Sequence, residues 1–366
     1  MMDKSWLNLE QIKQHSLDMR QFIDFRESRL PNGMRIIDAY NSSGLTFTLL
    51  PDRGMDIWSA NYNGMPLTWI APASPHPPDY GQSWLSLFNG GLLTTCGLTH
   101  VGPPEDGRDI HGNYTRLNAT IKGIRAFSDI DENNKGYRLQ LESEIKQSTL
   151  FGEQLRLERE LSVSLGDPKI QIVDRVTNMG DEPVPFMLLY HCNIGYPMIR
   201  EGTEFLTASD VYPRDVDARA GLKTWNHYES AAVAYREQVF FHHVKKRHPE
   251  STFAEVALLN QEQGLKFKWS TQNMPYLTQW KNTRKGIYVC GVEPGNCIPE
   301  GQNEAKKSER IVMLQAGESK DFVLSIEIID GIEHIQQCRE DIQALMKEGT
   351  AIRGCNLSAY QQYQAK

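Results

Sequence analysis

Strict alternation of apolar and polar residues recurs along most of this chain, and it limits the possible folds more than any other feature. Leu45, Phe47 and Leu49 alternate with Thr46 and Thr48, and Tyr137, Leu139 and Leu141 with Arg138, Gln140 and Glu142. Leu161, Val163 and Leu165 alternate with Ser162 and Ser164, and Leu265, Phe267 and Trp269 with Lys266 and Lys268. Phe322, Leu324, Ile326 and Ile328 repeat the pattern near the end. Successive side chains of a strand point to opposite faces, so each run offers one face to a core and the other to solvent or a cleft. That is the pattern of antiparallel sheets. Turn signals at Leu165-Gly166-Asp167-Pro168, Asn178-Met179-Gly180-Asp181 and Ala316-Gly317-Glu318 separate the runs.

Helical signals are confined to the two ends. Ser5 can cap a short helix through Leu7–Ile12, in a helical segment spanning about residues 5–25. Ile332, Ile335, Ile342 and Leu345 fall at near-helical spacing and predict a C-terminal helix over about 331–348. No Gly/Ser or Pro linker divides the chain, there is no internal repeat, and the helix–strand alternation of Rossmann or barrel enzymes is missing. All-β domains often exceed the usual domain size. The sequence therefore predicts an all-β protein, one large antiparallel β-sandwich over residues 1–366 with short N- and C-terminal helices.

Charge and hydropathy exclude several function classes. A net charge of −7 and a pI near 5.8 give no basic footprint for nucleic acid. No apolar run approaches the roughly 18 residues of a membrane span. The first residues lack a basic segment followed by an apolar one, so no secretory signal is read there. Six cysteines (Cys96, Cys192, Cys290, Cys297, Cys338, Cys355) show no framework spacing and read as free buried thiols. A cytoplasmic protein is expected, without nucleic-acid or membrane partners. Its oligomeric state cannot be read from the sequence.

Common catalytic motifs are missing: no phosphate-binding Gly-rich loop, no Gly-x-Ser-x-Gly elbow and no His-Glu-x-x-His. Cys290 and Cys297 are too far apart for a zinc knuckle. His242, His243 and His248 could gather a metal, but a solvated histidine cluster is the simpler reading, and no metal is expected. Three segments place ionisable groups in apolar or Gly-rich settings. Phe88-Asn89-Gly90-Gly91-Leu92-Leu93-Thr94-Thr95-Cys96-Gly97-Leu98 is followed by Asp109-Ile110-His111-Gly112. An apolar run from Phe186 delivers His191 just before Gly195-Tyr196-Pro197. Another, from Ile287, delivers Glu293 just before Pro294-Gly295-Asn296. A strand ending in an ionisable side chain is a rigid mount for chemistry. Each also has a plainer reading, as a hydrogen-bonded corner histidine or a turn.

Taken together, these segments resemble the galactose mutarotase (aldose 1-epimerase) superfamily. The resemblance runs from about Leu30 to Ile329. It is carried by Pro51-Asp52-Arg53-Gly54-Met55-Asp56-Ile57, Gly90–Leu98, His111-Gly112, Leu189–Pro197, Gln279-Trp280-Lys281 and Val292-Glu293-Pro294-Gly295-Asn296. It implies stacked antiparallel sheets, the mutarotase-like supersandwich, with a sugar held in an open cleft on one concave sheet. It also implies roles: His111 contacts the sugar, His191 donates a proton to the ring oxygen, and Glu293 takes the proton of the anomeric hydroxyl. Arg53 matches a cleft arginine that grips oxygens, and Asn193, Trp280, Lys281 and His243 are further expected substrate contacts. Trp69, Trp84 and Trp280 are candidates for an apolar sugar platform. The chain departs from the family pattern at Asn113 and at Pro294-Gly295-Asn296. The family's hydroxyl-binding aspartate has several candidates here: Asp210, Asp215, Asp217, or replacement by His242 or His243.

The implied activity is an isomerase reaction, the interconversion of sugar anomers. It needs one base and one acid on neighbouring oxygens and no cofactor. Glu293 is expected ionised and His191 protonated at the start, each favouring the other's charge. Two alternatives stay open. One is a non-catalytic carbohydrate-binding protein. The other is an isomerase or lyase acting on an acidic or phosphorylated sugar, with Arg53 and Lys281 pairing the anion.

Overall fold

The structure is a computed structural model describing residues 6–72, 75–128, 136–352, 354–358 and 360. Antiparallel strands dominate it, as the alternation predicts. In chain order, β1–β5 are Asp24–Arg29, Arg35–Tyr40, Leu45–Leu50, Asp56–Tyr62 and Met65–Pro66, and β6 is Thr94–Leu98. The long strands β7–β11 are Ala119–Ser128, Tyr137–Ser148, Gln154–Ser164, Lys169–Asn178 and Val184–Gly195. Next come β12 (Glu204–Thr207), β13 (Ser209–Pro213), β14 (Gln238–Lys246), β15 (Phe253–Leu259) and β16 (Gln263–Ser270). The chain closes with β17 (Tyr276–Arg284), β18 (Ile287–Gly295), β19 (Val312–Leu314), β20 (Ser319–Asp330) and β21 (Thr350–Ala351).

Among the described residues these strands form three sheets. β1–β5 pair in sequence order, and an eight-stranded sheet runs β12-β15-β16-β20-β10-β9-β8-β7. The other runs β13-β14-β17-β18-β11-β19, with β6 also on β11 and β21 on β14. Leu141, Leu161, Ile172, Phe267 and Leu324 of one sheet share a core with Tyr190, Cys192, Leu277, Cys290 and Val292 of the other. On β11 the alternation puts Tyr190 and Cys192 into that core, so His191 faces the opposite, concave side. All six cysteines are buried and free.

An ionic network ties the layers together beneath His191. Arg159 on β9 donates to both carboxylate oxygens of Asp174 on β10, at 2.9 and 2.7 Å, and lies 3.4 Å from Asp56. Tyr190 Oη donates to Asp174 at 2.6 Å, and Asp56 accepts from the amide and hydroxyl of Thr95. Thr95 and Tyr190 are register partners across β6 and β11. Buried charges persist only when paired and hydrogen-bonded in this way.

The ends depart from the sequence reading in detail. Helix α1 is Leu9–His15, capped by Asn8 Oδ1 accepting from Glu10 N and Gln11 N; Ser5 lies outside the described residues. The helical segment does not reach residue 25. A single 3₁₀ turn, Met19–Gln21, is followed by β1, where Phe25 packs edge-on against Phe47 at 6.3 Å. Strand pairing with β2 outweighs any local helical preference there. Three short helices follow: α2 (Trp84–Leu87), α3 (Val216–Ala220) and α4 (Gln302–Lys307). The C-terminal helix α5 is Ile332–Glu348 and buries Ile335, Cys338, Ile342 and Leu345, whereas Ile332 is exposed. Among the described residues no helix is long and apolar enough to cross a membrane.

Candidate active site

The strand register gathers the ionisable groups. Thr278 on β17 is opposite Glu293 on β18, and Trp280 is opposite Gly291. Cys192 on β11 is opposite Val292, which sets His191 beside Glu293 one step along. His191 Nε2 lies 3.3 Å from Glu293 Oε1, with side chains only 7% and 3% exposed. Gly291 makes room for this pair, because a Cβ there would meet Glu293 Oε1 at 2.5 Å and Trp280 Cβ at 2.8 Å.

His111 arrives from a loop docked on β6. Its own backbone is left-handed at φ 56°, its N–H donates to Gly102 O, and its carbonyl accepts from Gly97 N. Gly112 follows because a Cβ there would meet the Gly97 and His100 carbonyl oxygens at 2.6 Å. The His111 ring is 6.0 Å from that of His191 and 4.9 Å from that of Trp84. His111, His191 and Glu293 share one open cleft of about 390 Å³.

The walls of the cleft are largely aromatic and prolyl, including Trp84, Phe88, Trp280, Pro103, Pro104 and Pro299. Trp84 stacks on Phe88 at 4.5 Å, and Phe88 and Trp280 each meet His191 edge-on, at 5.4 and 5.6 Å. Trp69 stands behind this wall, 5.9 Å from Phe88 and 6.1 Å from Trp280. At the other end Glu237 and Arg214 enter the cleft. Glu237 accepts from Trp280 Nε1 at 2.9 Å and from Arg214 at 3.1 Å, and Arg214 also donates to Asp215 at 2.8 Å.

Burial sets the protonation states. It pushes Glu293 up to about 8, with the Glu237 charge adding to the shift and Arg214 opposing it. It holds His191 down at about 4. His111 falls to about 3, by burial first and then by the neighbouring His191 and His100. Between those limits the His191–Glu293 pair carries one shared proton and no net charge. The charge-separated pair expected from the sequence is therefore disfavoured by its surroundings, because burial penalises both charged forms.

Several expected contacts lie elsewhere. Arg53 is fully buried and grips backbone rather than ligand. It donates to His76 O at 3.0 Å, to Leu87 O at 2.7 Å, to Asn89 Oδ1, and to both the carbonyl and hydroxyl of Thr115. It thus clamps the segment that carries Trp84 and Phe88. Asp109 ties the same segment to the His111 loop, accepting from Trp84 N at 2.8 Å and Arg116 Nη2 at 2.5 Å. Lys281 points away from Trp280, to Thr224 O, His227 O and the Glu229 carboxylate at 2.8, 2.6 and 2.8 Å. Asn193 is buried with its amide on Gly91 O and His191 O.

His243 Nε2 meets Ile352 O at 3.3 Å, while His242 turns to Ser209 and stacks on Phe205. Among the described residues no group of three or more His, Cys, Asp or Glu is placed to hold a metal ion. Asp215 caps α3 and pairs with Arg214, Asp217 pairs with Arg236, and neither these two nor Asp210 lines the cleft. Glu237 and Arg214 went unread because they sit at loop edges beside β14 and β13, where no periodicity marks them. Their signal was adjacency: each directly borders a strand of the concave sheet.

Comparison with solved structures bears on the fold. A protein of Klebsiella pneumoniae described as a "putative aldose 1-epimerase" superposes with a TM-score of 0.81 at 26% identity, covering 90% of this chain and 88% of that one. A galactose mutarotase-like protein of Clostridium acetobutylicum gives 0.60 at 13% identity, covering 85% of this chain and 100% of that one. The Slr1438 protein of Synechocystis gives 0.59 at 15%, covering 84% and 99%. At such identities the last two speak for the fold alone. No curated protein matches the sequence. The fold is the mutarotase-like sandwich, and by its sequence over residues 31–328 the chain belongs to the family described as "Domain of unknown function (DUF4432)".

Proposed function

We propose that this protein is an aldose 1-epimerase, a single mutarotase-like domain that interconverts the anomers of a sugar by acid–base ring opening. The observation that carries the reading is the His191–Glu293 contact of 3.3 Å at the base of an aromatic-walled cleft. Six free thiols support a reducing compartment, and we place the protein in the cytoplasm.

The chemistry follows from one shared proton. Moving it from Glu293 to His191 Nε2 leaves a carboxylate beside an imidazolium. A sugar seated with its anomeric hydroxyl at Glu293 and ring oxygen at His191 then reacts. The carboxylate takes the hydroxyl proton, the C1–O5 bond breaks as C1–O1 becomes a carbonyl, and the imidazolium protonates O5. Rotation about C1–C2 presents the other face of the aldehyde. Reclosure runs the transfers backwards and restores both groups. His111 is held neutral by its burial and contributes a hydrogen bond rather than charge. Trp280 and Trp84 form the walls against which the ring packs, and Glu237 is the carboxylate placed to accept from sugar hydroxyls.

Saturation-transfer NMR between α- and β-anomer signals, across a panel of aldoses, tests the proposal. Accelerated exchange that Glu293→Gln removes supports it. A wild type that binds sugars but accelerates none would leave a carbohydrate-binding protein.

A further inference from the structure

The two ends of the cleft differ in polarity, and the acid–base pair fixes which part of a sugar each end meets. On the Glu293 side the lining carries Thr278, Glu237 and Arg214. On the His191 side it carries Phe88, Trp84 and Ile110 around His111. In a pyranose with O1 at Glu293 and O5 at His191, C2 and C3 extend from C1 towards the polar end. C5 extends from O5 towards the aromatic end.

That aromatic end offers little to an oxygen. Trp84 Nε1 and His111 Nδ1 are both buried without a partner, which leaves His111 Nε2 as the one polar ring atom this end offers to an oxygen. The other rings present carbon. No cation serves this end among the described residues that line the cleft. Arg214 is at the opposite end and bound to Asp215 and Glu237. Arg116, behind the wall, is committed to Asp109, Asn113 and Gln82 O. A phosphate or carboxylate on C5 would be desolvated against two indole and phenyl faces with no counter-ion, and a C6 hydroxyl would lose water without a full set of partners.

Resting on the epimerase reading, we propose that the substrate is an uncharged aldose whose C5 substituent is hydrogen or methyl, a pentopyranose or 6-deoxyhexose. The substituent packs against Phe88 and Trp84. The hydroxyls on C2 and C3 meet Glu237 and Arg214. Specificity comes from leaving an extra oxygen unpaired, and a site of this kind discriminates more by what it fails to satisfy than by size.

Sugar pairs that differ only at C6 test this: D-fucose against D-galactose, 6-deoxy-D-glucose against D-glucose, and L-rhamnose against L-mannose. The measurement is kcat/KM for anomer exchange by saturation-transfer NMR on the intact protein. The 6-deoxy member of the best-accepted pair should exceed its parent by about fivefold or more, the equivalent of one poorly satisfied hydroxyl. D-Galacturonate and D-galactose 6-phosphate should trail further. Ile110→Lys, which places a cation at that end, should raise D-galacturonate relative to D-fucose by about tenfold. A parent hexose matching or beating its 6-deoxy partner overturns the inference and leaves the epimerase reading intact. If no sugar in any pair is accelerated, the epimerase reading falls and the substrate assignment with it.

Discussion

His191 Nε2 and Glu293 Oε1 face each other at 3.3 Å while burial drives the histidine down to about 4 and the glutamate up to about 8. Below the lower value both groups are protonated and the base is lost. Above the upper one both are deprotonated and the acid is lost. The pH profile of kcat/KM should therefore be a broad bell with limbs near those two values, flat across the neutral range. Exchange rates corrected for the uncatalysed reaction at each pH check it. A single limb near pH 6.5 would mean that a solvent-exposed histidine controls the rate instead.

Removing either partner should cost the full benefit of positioned proton transfer. Glu293→Gln and His191→Asn are each expected to lower kcat by about 10²–10⁴-fold, roughly 3–5 kcal/mol of barrier, with sugar affinity within a few-fold. The double variant should lose far less than the product of the two, because the pair acts as a unit. Single-variant and double-variant exchange rates decide this.

Arg53 should behave as a brace. Arg53→Met strands the carbonyls of His76, Leu87 and Thr115 that it now satisfies. It should cost about 2–4 kcal/mol of stability and raise KM by loosening the Trp84–Phe88 wall. Asp109→Asn should raise KM with a smaller stability loss, since it breaks the Arg116 ion pair but can keep the bond from Trp84 N. Urea unfolding alongside Michaelis curves separates the two; a KM change without any stability change in Arg53→Met would return Arg53 to the ligand.

Stability should peak near pH 6.5. Burial depresses His111, His191 and His242 to about 3, 4 and 3, so on acidification the unfolded chain takes up protons that the folded one refuses. Folded stability then drops as pH falls from about 6.5 to 3. Glu293 works in the other direction. Its raised value means the unfolded chain releases a proton from about pH 4.5 upward while the folded one keeps it until about 8. Buried Asp56, raised to about 7, acts the same way, and above about pH 6.5 the histidines no longer offset them, so stability declines. Each net proton corresponds to about 1.4 kcal/mol per pH unit. His242→Phe, away from the cleft against Phe205, should flatten the acid limb in melts across pH without altering anomer exchange.

Much of this was legible in the sequence where alternation alone decides the outcome. Leu45, Phe47 and Leu49 are buried and Thr46 is exposed, as period two requires. His191 and Glu293 stand out because each follows an apolar run, although the strands continue past them, to Gly195 and Gly295. The same rule, applied to neighbours, warns that Trp280 and Lys281 cannot share a face, and Lys281 indeed turns away from the cleft. Arg53 could not be read in this way. A buried arginine satisfied by backbone carbonyls looks, in sequence, like one waiting for an anion. His243 has the parity of the cleft-lining Val239 but lies four residues further along, where the chain near Ile352 covers it. Glu237 and Arg214 depend on loop closure across β13 and β14, which no local pattern encodes.

The placement of β11 has a consequence for how the protein is made. Its partners come from far along the chain: residues 94–98 pair with 187–191, and residues 289–295 with 189–195. Such distant pairings raise contact order and slow folding. Until both partners arrive, the run Phe186-Met187-Leu188-Leu189-Tyr190 is an apolar strand with two open edges, a template for intermolecular pairing. The strand that mounts His191 is thus also the segment most prone to drive aggregation in a nascent or refolding chain, and slow, cool expression should favour recovery of the native protein.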